Sequence, residues 1–133
     1  MNFMEQRLTL ITLGVADLQV SAGFYENILG WKRSPMSSEN IVFFELNGVF
    51  LSLYERVALA EDATVDAAGS GFKGFTLAHN LGSEAEVDKL INDLREKGVT
   101  IVKEPQKVFW GGYSSYFADP DGNLWEVAYN PYL

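Results

Sequence analysis

Few side chains in this 133-residue sequence can perform chemistry of their own. There is no cysteine, and His79 is the single histidine. Disulfides, thiolate catalysis and zinc–sulfur sites are therefore excluded, and any metal would have to be held by oxygen or imidazole ligands. The sequence also lacks a glycine-rich phosphate loop and a nucleophile elbow.

One aromatic, glycine-rich segment is a candidate for contact with a ligand: Phe109-Trp110-Gly111-Gly112-Tyr113. Glycines allow a loop to approach a ligand closely or to turn sharply, and aromatic rings offer flat surfaces for stacking. Trp110 and Tyr113 are therefore predicted to line the mouth of a binding cavity. The alternative is that these rings pack on the core of their own domain or on a dimer partner.

The first half of the sequence predicts one strand, one helix and three further strands. Asp17 offers an N-cap between an apolar, β-branched segment and an amphipathic one, which Gly30 ends. Asn47-Gly48 is typical of a two-residue hairpin, for which a type I′ turn with positive φ at both residues is expected. The predicted elements are a strand at Arg7–Val15, a helix at Leu18–Leu29 and strands at Trp31–Met36, Asn40–Leu46 and Val49–Glu55.

The second half repeats this order after a linker, roughly residues 56–71, that is rich in Ala, Asp and Gly. Ser83 and Glu86 form a capping box that starts a helix, and Gly98 is placed to end it. Apolar residues at helical spacing mark its buried face: Val87, Leu90, Ile91 and Leu94. The predicted elements are a strand at Phe72–His79, a helix ending at Lys97 and strands at Val99–Lys103, Tyr113–Ala118 and Asn123–Tyr129.

The two halves also match in sequence, because residues 11–14 (ITLG) align with residues 75–78 (FTLA) at an offset of 64. Internal duplication explains both this match and the repeated order of elements. We therefore predict an α+β fold, a single domain of two βαβββ modules with a mixed sheet. Strand alternation places the less bulky residues on one face, where a cavity can form, and the bulkier ones under the helices. The residues of the less bulky face are Leu10, Thr12, Gly74 and Thr76.

Two motifs at module spacing resemble the signatures of the vicinal oxygen chelate superfamily, which includes glyoxalases, bleomycin resistance proteins and extradiol dioxygenases. The first comprises residues 15–18 (VADL), 24–25 (FY) and 29–30 (LG), and the second comprises residues 117–123 (FADPDGN) and 125–126 (WE). The resemblance covers residues 7–131. It implies a glyoxalase-like cupped sheet, in which each module forms half of a cup and the paired halves enclose a cavity. It also implies a homodimer.

Metal-dependent members of this superfamily hold a divalent ion through four His or Glu side chains, two from each module. In the alignment that the resemblance implies, Leu10 and Gly74 occupy two of these positions, and neither can ligate through its side chain. The third position falls, according to the register chosen, on Leu51, Ser52 or Leu53. Most of the metal site is therefore predicted to be lost.

Glu126 is the only residue at a retained ligand position. One carboxylate does not make a metal site, because hard cations require several oxygens and transition ions require three or four protein donors. No cofactor is therefore expected, although a divalent metal held with the help of Glu45, Glu55 or a substrate donor stays an alternative. His79 does not supply a ligand, because it lies an odd number of residues after Gly74 and faces away from the cup if Gly74 faces it.

We predict a metal-independent protein that binds a small molecule in the cup. The residues predicted to contact the ligand are Glu126, Leu10, Thr12, Gly74, Thr76, Trp110 and Tyr113. The alternative is an enzyme of the same superfamily, a lyase, isomerase or dioxygenase that uses a divalent metal or takes Glu126 as its base. Fold alone does not choose between them, because the superfamily hosts many activities.

Composition and net charge limit which partners and which cellular location are expected. Ten basic and 18 acidic residues give a formal charge of −8, which repels phosphate backbones and anionic membrane surfaces, so neither nucleic acid nor membrane is an expected partner. No apolar run approaches the roughly 20 residues that span a bilayer, and Met1 to Arg7 is too short and polar for a signal peptide. A cytoplasmic location is therefore expected.

Overall fold

The computed structural model describes residues 4–133 and has the predicted α+β fold. The chain divides after Gly69 into two compact units, which we call unit 1 and unit 2. Each unit contains one sheet that combines a parallel strand pair with antiparallel pairing. Within the part of the chain that the structure describes, no helix is long and apolar enough to cross a bilayer.

The sheet of unit 1 has the strand order β1-β3-β2, with β1 parallel and β2 antiparallel to β3. The elements of this unit are β1 (Leu10–Val15), α1 (Leu18–Gly23), β2 (Ile41–Glu45), β3 (Phe50–Glu55) and α2 (Arg56–Asp62). The sheet of unit 2 has the order β4-β7-β6-β5, with β4 parallel to β7 and the other pairs antiparallel. Its elements are β4 (Leu77–Leu81), α3 (Glu84–Glu96), β5 (Thr100–Lys107), β6 (Tyr113–Ala118) and β7 (Leu124–Tyr129).

The core of unit 1 lies between α1 and the bulkier face of its sheet. The Asp17 side chain caps α1 by accepting hydrogen bonds from the backbone N–H groups of Gln19 and Val20, at 3.0 and 3.2 Å. Tyr25 is fully buried, and its ring centroid lies 5.7 Å from that of Phe44 in β2. The predicted cap is confirmed, and so is the predicted burial of the bulkier face at Leu13 of unit 1, whereas Phe75, on the bulkier face predicted for unit 2, is exposed.

The helix predicted at Leu18–Leu29 changes its geometry partway. It is α-helical only to Gly23 and continues as a π-helical turn, Phe24–Ile28. The Leu29 N–H accordingly donates to the Phe24 carbonyl, five residues earlier, at 3.1 Å. Gly30 follows with a φ of 78°, so the predicted glycine stop is confirmed.

The strand predicted at Trp31–Met36 is wrong, because this segment contains no strand residues. Pro35 lacks the N–H that a strand would donate to its neighbour. The segment instead follows β2 through single hydrogen bonds: the Ser34 N–H donates to the Phe43 carbonyl at 2.7 Å, and Ser37 Oγ accepts from the Phe43 N–H at 2.9 Å. Trp31 packs beside Tyr25, with ring centroids 5.4 Å apart.

The turn at Asn47-Gly48 joins β2 to β3 as predicted, but with a different geometry. The Leu46 N–H donates to the Val49 carbonyl at 2.9 Å, which closes the hairpin. Gly48 has a φ of 82°, whereas Asn47 is not among the described residues with positive φ. The type I′ prediction is therefore wrong, since that turn requires positive φ at both residues.

The segment predicted as a linker contains a helix, and the strand that follows it begins later than predicted. The linker begins with α2, which the Glu55 side chain caps by accepting a hydrogen bond from the Ala58 N–H at 2.7 Å. The following strand, β4, begins at Leu77 instead of Phe72. Gly74 has a φ of 87°, which interrupts the extended backbone before the strand.

The helix α3 covers one face of the unit 2 sheet. Ser83 Oγ accepts a hydrogen bond from the Glu86 N–H at 3.2 Å, so the predicted cap is confirmed. Beneath the helix, the rings of Phe117 and Trp125 stack with centroids 6.2 Å apart. The apolar stripe is buried at Val87, Ile91 and Leu94 and half-buried at Leu90. The large apolar side chains of unit 2 are therefore buried mainly on this face.

We expect Ser21→Ala to raise the free energy of unfolding by about 1 kcal/mol. Ser21 Oγ is fully buried in α1 and has no hydrogen-bond partner among residues 4–133, so its hydroxyl lost water without gaining a partner. Ser115→Ala is the matched control, because its equally buried hydroxyl donates to the Val127 carbonyl at 2.7 Å. This control should lose about 1 kcal/mol.

Urea denaturation of the two variants and the wild type measures both changes. Equal losses in the two variants would mean that the Ser21 hydroxyl has a hydrogen-bond partner after all.

Candidate functional site

Glu126 lies on the face of the unit 2 sheet that α3 does not cover. Residues directly opposite each other on paired strands point to the same face. Ala78 of β4 is opposite Glu126 of β7, which is opposite Tyr116 of β6, which is opposite Lys103 of β5. We call these four residues the Glu126 row. The row crosses all four strands and places one carboxylate and one ammonium group on the same surface.

The carboxylate of Glu126 is held by a neighbouring hydroxyl. Ser114 Oγ donates to Glu126 Oε2 at 2.6 Å, and Ser114 itself is only 3% exposed. Hydrogen bonds to an ionised acceptor are shorter and stronger than neutral ones, so this contact fixes the orientation of the half-buried carboxylate.

Tyr116 connects Glu126 to Thr76. Burial raises the pKa of the Tyr116 hydroxyl above its ordinary value, the nearby Glu126 carboxylate raises this pKa further, and a hydrogen bond with Thr76 opposes both effects. The phenol is therefore protonated at neutral pH and can donate a hydrogen bond. Two of the predicted ligand residues, Glu126 and Thr76, thus come together around Tyr116.

The residue-by-residue correspondence between the two units differs from the predicted one. Measured from the helix caps Asp17 and Ser83, the offset between the units is 66 (83 minus 17), not 64. Leu10 therefore corresponds to Thr76, and the predicted correspondence of Leu10 with Gly74 is wrong. Gly74 lies in the bend before β4, where strand alternation does not apply.

Unit 1 carries a neutral pair where unit 2 carries Glu126. Thr12 is directly opposite Ser52, as Ala78 is directly opposite Glu126. Thr12 Oγ1 and Ser52 Oγ are joined by a hydrogen bond of 2.7 Å, and Ser52 is fully buried. The position that is a carboxylate in unit 2 is therefore a hydroxyl in unit 1, and this hydroxyl already has a partner.

Trp110 packs on the backbone of its own loop. A Cβ atom added to Gly112 would lie 1.8 Å from Trp110 Cζ3, so the indole ring rests directly on that glycine. Phe109, at the tip of the loop, is fully exposed. This packing of Trp110 agrees with the alternative in which the aromatic rings contact their own domain.

Tyr113 and His79 both lie on the α3 side of the unit 2 sheet. Tyr113 Oη donates to Asp88 Oδ1 of α3 at 2.7 Å. This hydrogen bond, with smaller effects of burial and of nearby negative charge, raises the pKa of Tyr113 to about 12. His79 is directly opposite Val127, one residue out of phase with Glu126, so the prediction that it faces away from the Glu126 surface is confirmed.

Three residues of this surface were missed from the sequence: Ser114, Tyr116 and Lys103. The first two could have been found, because they alternate with Phe117 along a strand whose bounds were predicted correctly. Lys103 could not, because β5 is irregular. Its register against β6 shifts between Ile101 and Lys103 and again between Lys103 and Gln106.

The side chains present do not fit a divalent metal ion. The Glu126 row offers one carboxylate, one phenol and one ammonium, whereas divalent ions require several carboxylate or imidazole donors. Across residues 4–133 no three His, Cys, Asp or Glu side chains are grouped so that they could hold a metal. Thr76, which comes just before β4, adds at most one neutral hydroxyl to the row, and its equivalent in unit 1, Leu10, has no ligating side chain.

Comparison with known proteins gives consistent matches. The model of the Glyoxalase/Bleomycin resistance protein/Dioxygenase superfamily matches residues 7–127. The metallothiol transferase FosB of Lysinibacillus sphaericus (strain C3-41) is 29% identical over 121 residues, which is 91% of this chain and 80% of the relative. The uncharacterized protein YraH of Bacillus subtilis (strain 168) is 30% identical over 126 residues, covering 91% and 96%. A crystal structure of a glyoxalase-related enzyme from Fulvimarina pelagi gives a TM-score of 0.85 at 36% identity, covering 96% of this chain and 90% of that one.

We expect Gly112→Ala to destabilise the protein by about 1–3 kcal/mol, because the added methyl group overlaps the Trp110 ring and forces the loop to move. Gly23→Ala is the control, since its added Cβ would meet only Asn27 Nδ2, at 3.6 Å. Urea denaturation gives the free energies, and the NMR resonance of the Trp110 indole N–H reports the ring environment. Wild-type stability and an unmoved resonance in Gly112→Ala would contradict the packing of Trp110 on Gly112.

Proposed function

Because the chain belongs to the glyoxalase, bleomycin resistance protein and dioxygenase superfamily, we propose that it binds a small molecule without a metal ion, on the face of unit 2 that carries Glu126. The observation that supports this most directly is the setting of Glu126. Its carboxylate is oriented by the hydroxyl of Ser114 and lies beside the phenol of Tyr116. No second carboxylate or imidazole stands in the Glu126 row to complete a metal site.

The chemistry of the face defines what such a ligand must offer. A carboxylate only accepts hydrogen bonds, so the ligand should present a donor or a positive charge to Glu126. Tyr116 can donate to a ligand oxygen, and the small side chain of Ala78 leaves space on the other side of Glu126. Ala78 is exposed in the described chain. The face is therefore suited to a polar ligand with at least one cationic or hydrogen-bond-donating group.

An enzymatic function is the second candidate, and the relatives favour it. One of them is named a metallothiol transferase, and the resemblance to the superfamily places Glu126 at a ligand position of its metal-dependent members. In this alternative, Glu126 would serve as a metal ligand or a general base. Homodimer formation and a cytoplasmic location stay predictions.

We expect the protein, purified without added metal or chelator, to contain well under one equivalent of Mn, Fe, Co, Ni or Zn. The physical reason is that one carboxylate with neutral neighbours binds these ions weakly. Elemental analysis measures the content, and thermal unfolding with and without a chelator shows whether an ion contributes to stability. Close to one equivalent of metal, removed by a chelator together with an enzymatic activity, would favour the enzyme.

We expect Glu126→Gln to abolish the saturable binding of a simple alkylamine while leaving the fold intact. Hexylamine at millimolar concentration is the probe, and its binding is measured from changes in the amide NMR signals of β6 and β7. Glutamine keeps the size of the side chain but loses the charge, and loss of this half-buried, charged hydrogen-bond partner costs about 1–3 kcal/mol.

The matched control for this experiment is Glu104→Gln. It makes the same charge change on β5, at a residue that pairs with Arg95 of α3. This control should bind hexylamine as the wild type does. Unchanged binding in Glu126→Gln would assign Glu126 a structural role, and a large fall in its melting temperature would mean that Glu126 supports the fold.

A further inference from the structure

Lys103 places a positive charge on the same surface as Glu126, and the cause is an irregularity of β5. Ile101 is opposite Phe117 on the α3 side, yet Lys103 is opposite Tyr116 on the other side. Regular alternation would send both to one face, because they are two residues apart. The extra residue of a β-bulge between them reverses this.

The next residue along β5 supports this orientation. Glu104 pairs with Arg95 of α3, so its side chain lies on the helix side of the sheet. Lys103, its neighbour, is half-buried on the opposite side. The bulge therefore places a lysine in the same row as Tyr116 and Glu126.

The two charges of the Glu126 row do not neutralise each other. No ion pair in the described chain joins Lys103 to Glu126. Tyr116 stands between them, and their strands are two apart in the sheet, which corresponds to about 10 Å between backbones. A ligand that lies across Tyr116 can therefore meet the carboxylate with one end and the ammonium with the other.

We propose that this face selects small amphoteric molecules, with an amine bound at Glu126 and a carboxylate or other acid group bound at Lys103. This inference rests on the proposed function and adds the acid-binding end to it. Ser114 positions the Glu126 carboxylate for the amine, and Tyr116 donates to the middle of the ligand. A molecule with a single charge would leave one of the two protein charges without a partner.

Two ω-amino acids test the proposal, 4-aminobutyrate and 6-aminohexanoate, with butylamine, hexylamine, butyrate and hexanoate as single-charge references of the same lengths. Dissociation constants are measured from amide NMR shifts of β5, β6 and β7 at physiological ionic strength. We expect at least one amino acid to bind about fivefold more tightly than the amine of the same length, the gain that one further partly exposed charge pair provides. Lys103→Gln should abolish this gain.

Lys107→Gln is the matched control, because Lys107 is on the same strand but opposite Tyr113, on the α3 side. It should keep the full gain. The proposal is overturned if no amino acid binds more tightly than its amine, or if the gain survives in Lys103→Gln. Either result, obtained while amines still bind through Glu126, leaves the proposed function standing. If the wild type binds none of the amines, the proposed function itself is wrong.

Discussion

The sheet of unit 2 has its one described helix, α3, on a single face, and the faces taken by its strand side chains follow from that. Residues of β6 and β7 alternate between a face sealed by α3 and a face without a helix. The sealed face takes Phe117 and Trp125, whose rings stack there. The other face takes Ser114 and Glu126. Because apolar burial is concentrated on one side, the second side can carry polar groups at little cost to the core.

A half-buried carboxylate needs hydrogen-bond donors, and this requirement explains the surroundings of Glu126. Ser114 donates a short hydrogen bond that the negative charge of the carboxylate strengthens, and the protonated phenol of Tyr116 lies beside the same carboxylate. In unit 1 the corresponding pair, Thr12 and Ser52, satisfies itself with one hydrogen bond between neutral hydroxyls. The duplicated architecture therefore holds a charged site in one unit and a neutral, self-paired one in the other.

Errors in the sequence interpretation share one physical origin. The strand expected at Trp31–Met36 contains Pro35, which cannot donate to a sheet, and Ser34 and Ser37 instead make isolated hydrogen bonds to Phe43 of β2. The early start expected for β4 overlooked the positive φ of Gly74. Local composition therefore identified segments that lie against a sheet, but it did not identify which of them join it.

The sequence by itself determined the elements whose causes are local: the caps at Asp17 and Ser83, the glycine stop at Gly30, and the family motifs that contain Glu126. Only the tertiary structure decided register, because hydrogen bonds between strands distant in the chain fix it. The strand pairings make Thr76, and not Gly74, the residue of unit 2 that corresponds to Leu10 of unit 1. A bulge in β5 places Lys103 opposite Tyr116. A shift of one residue reverses the face of every following side chain, so a surface assembled across four strands cannot be derived from any one of them.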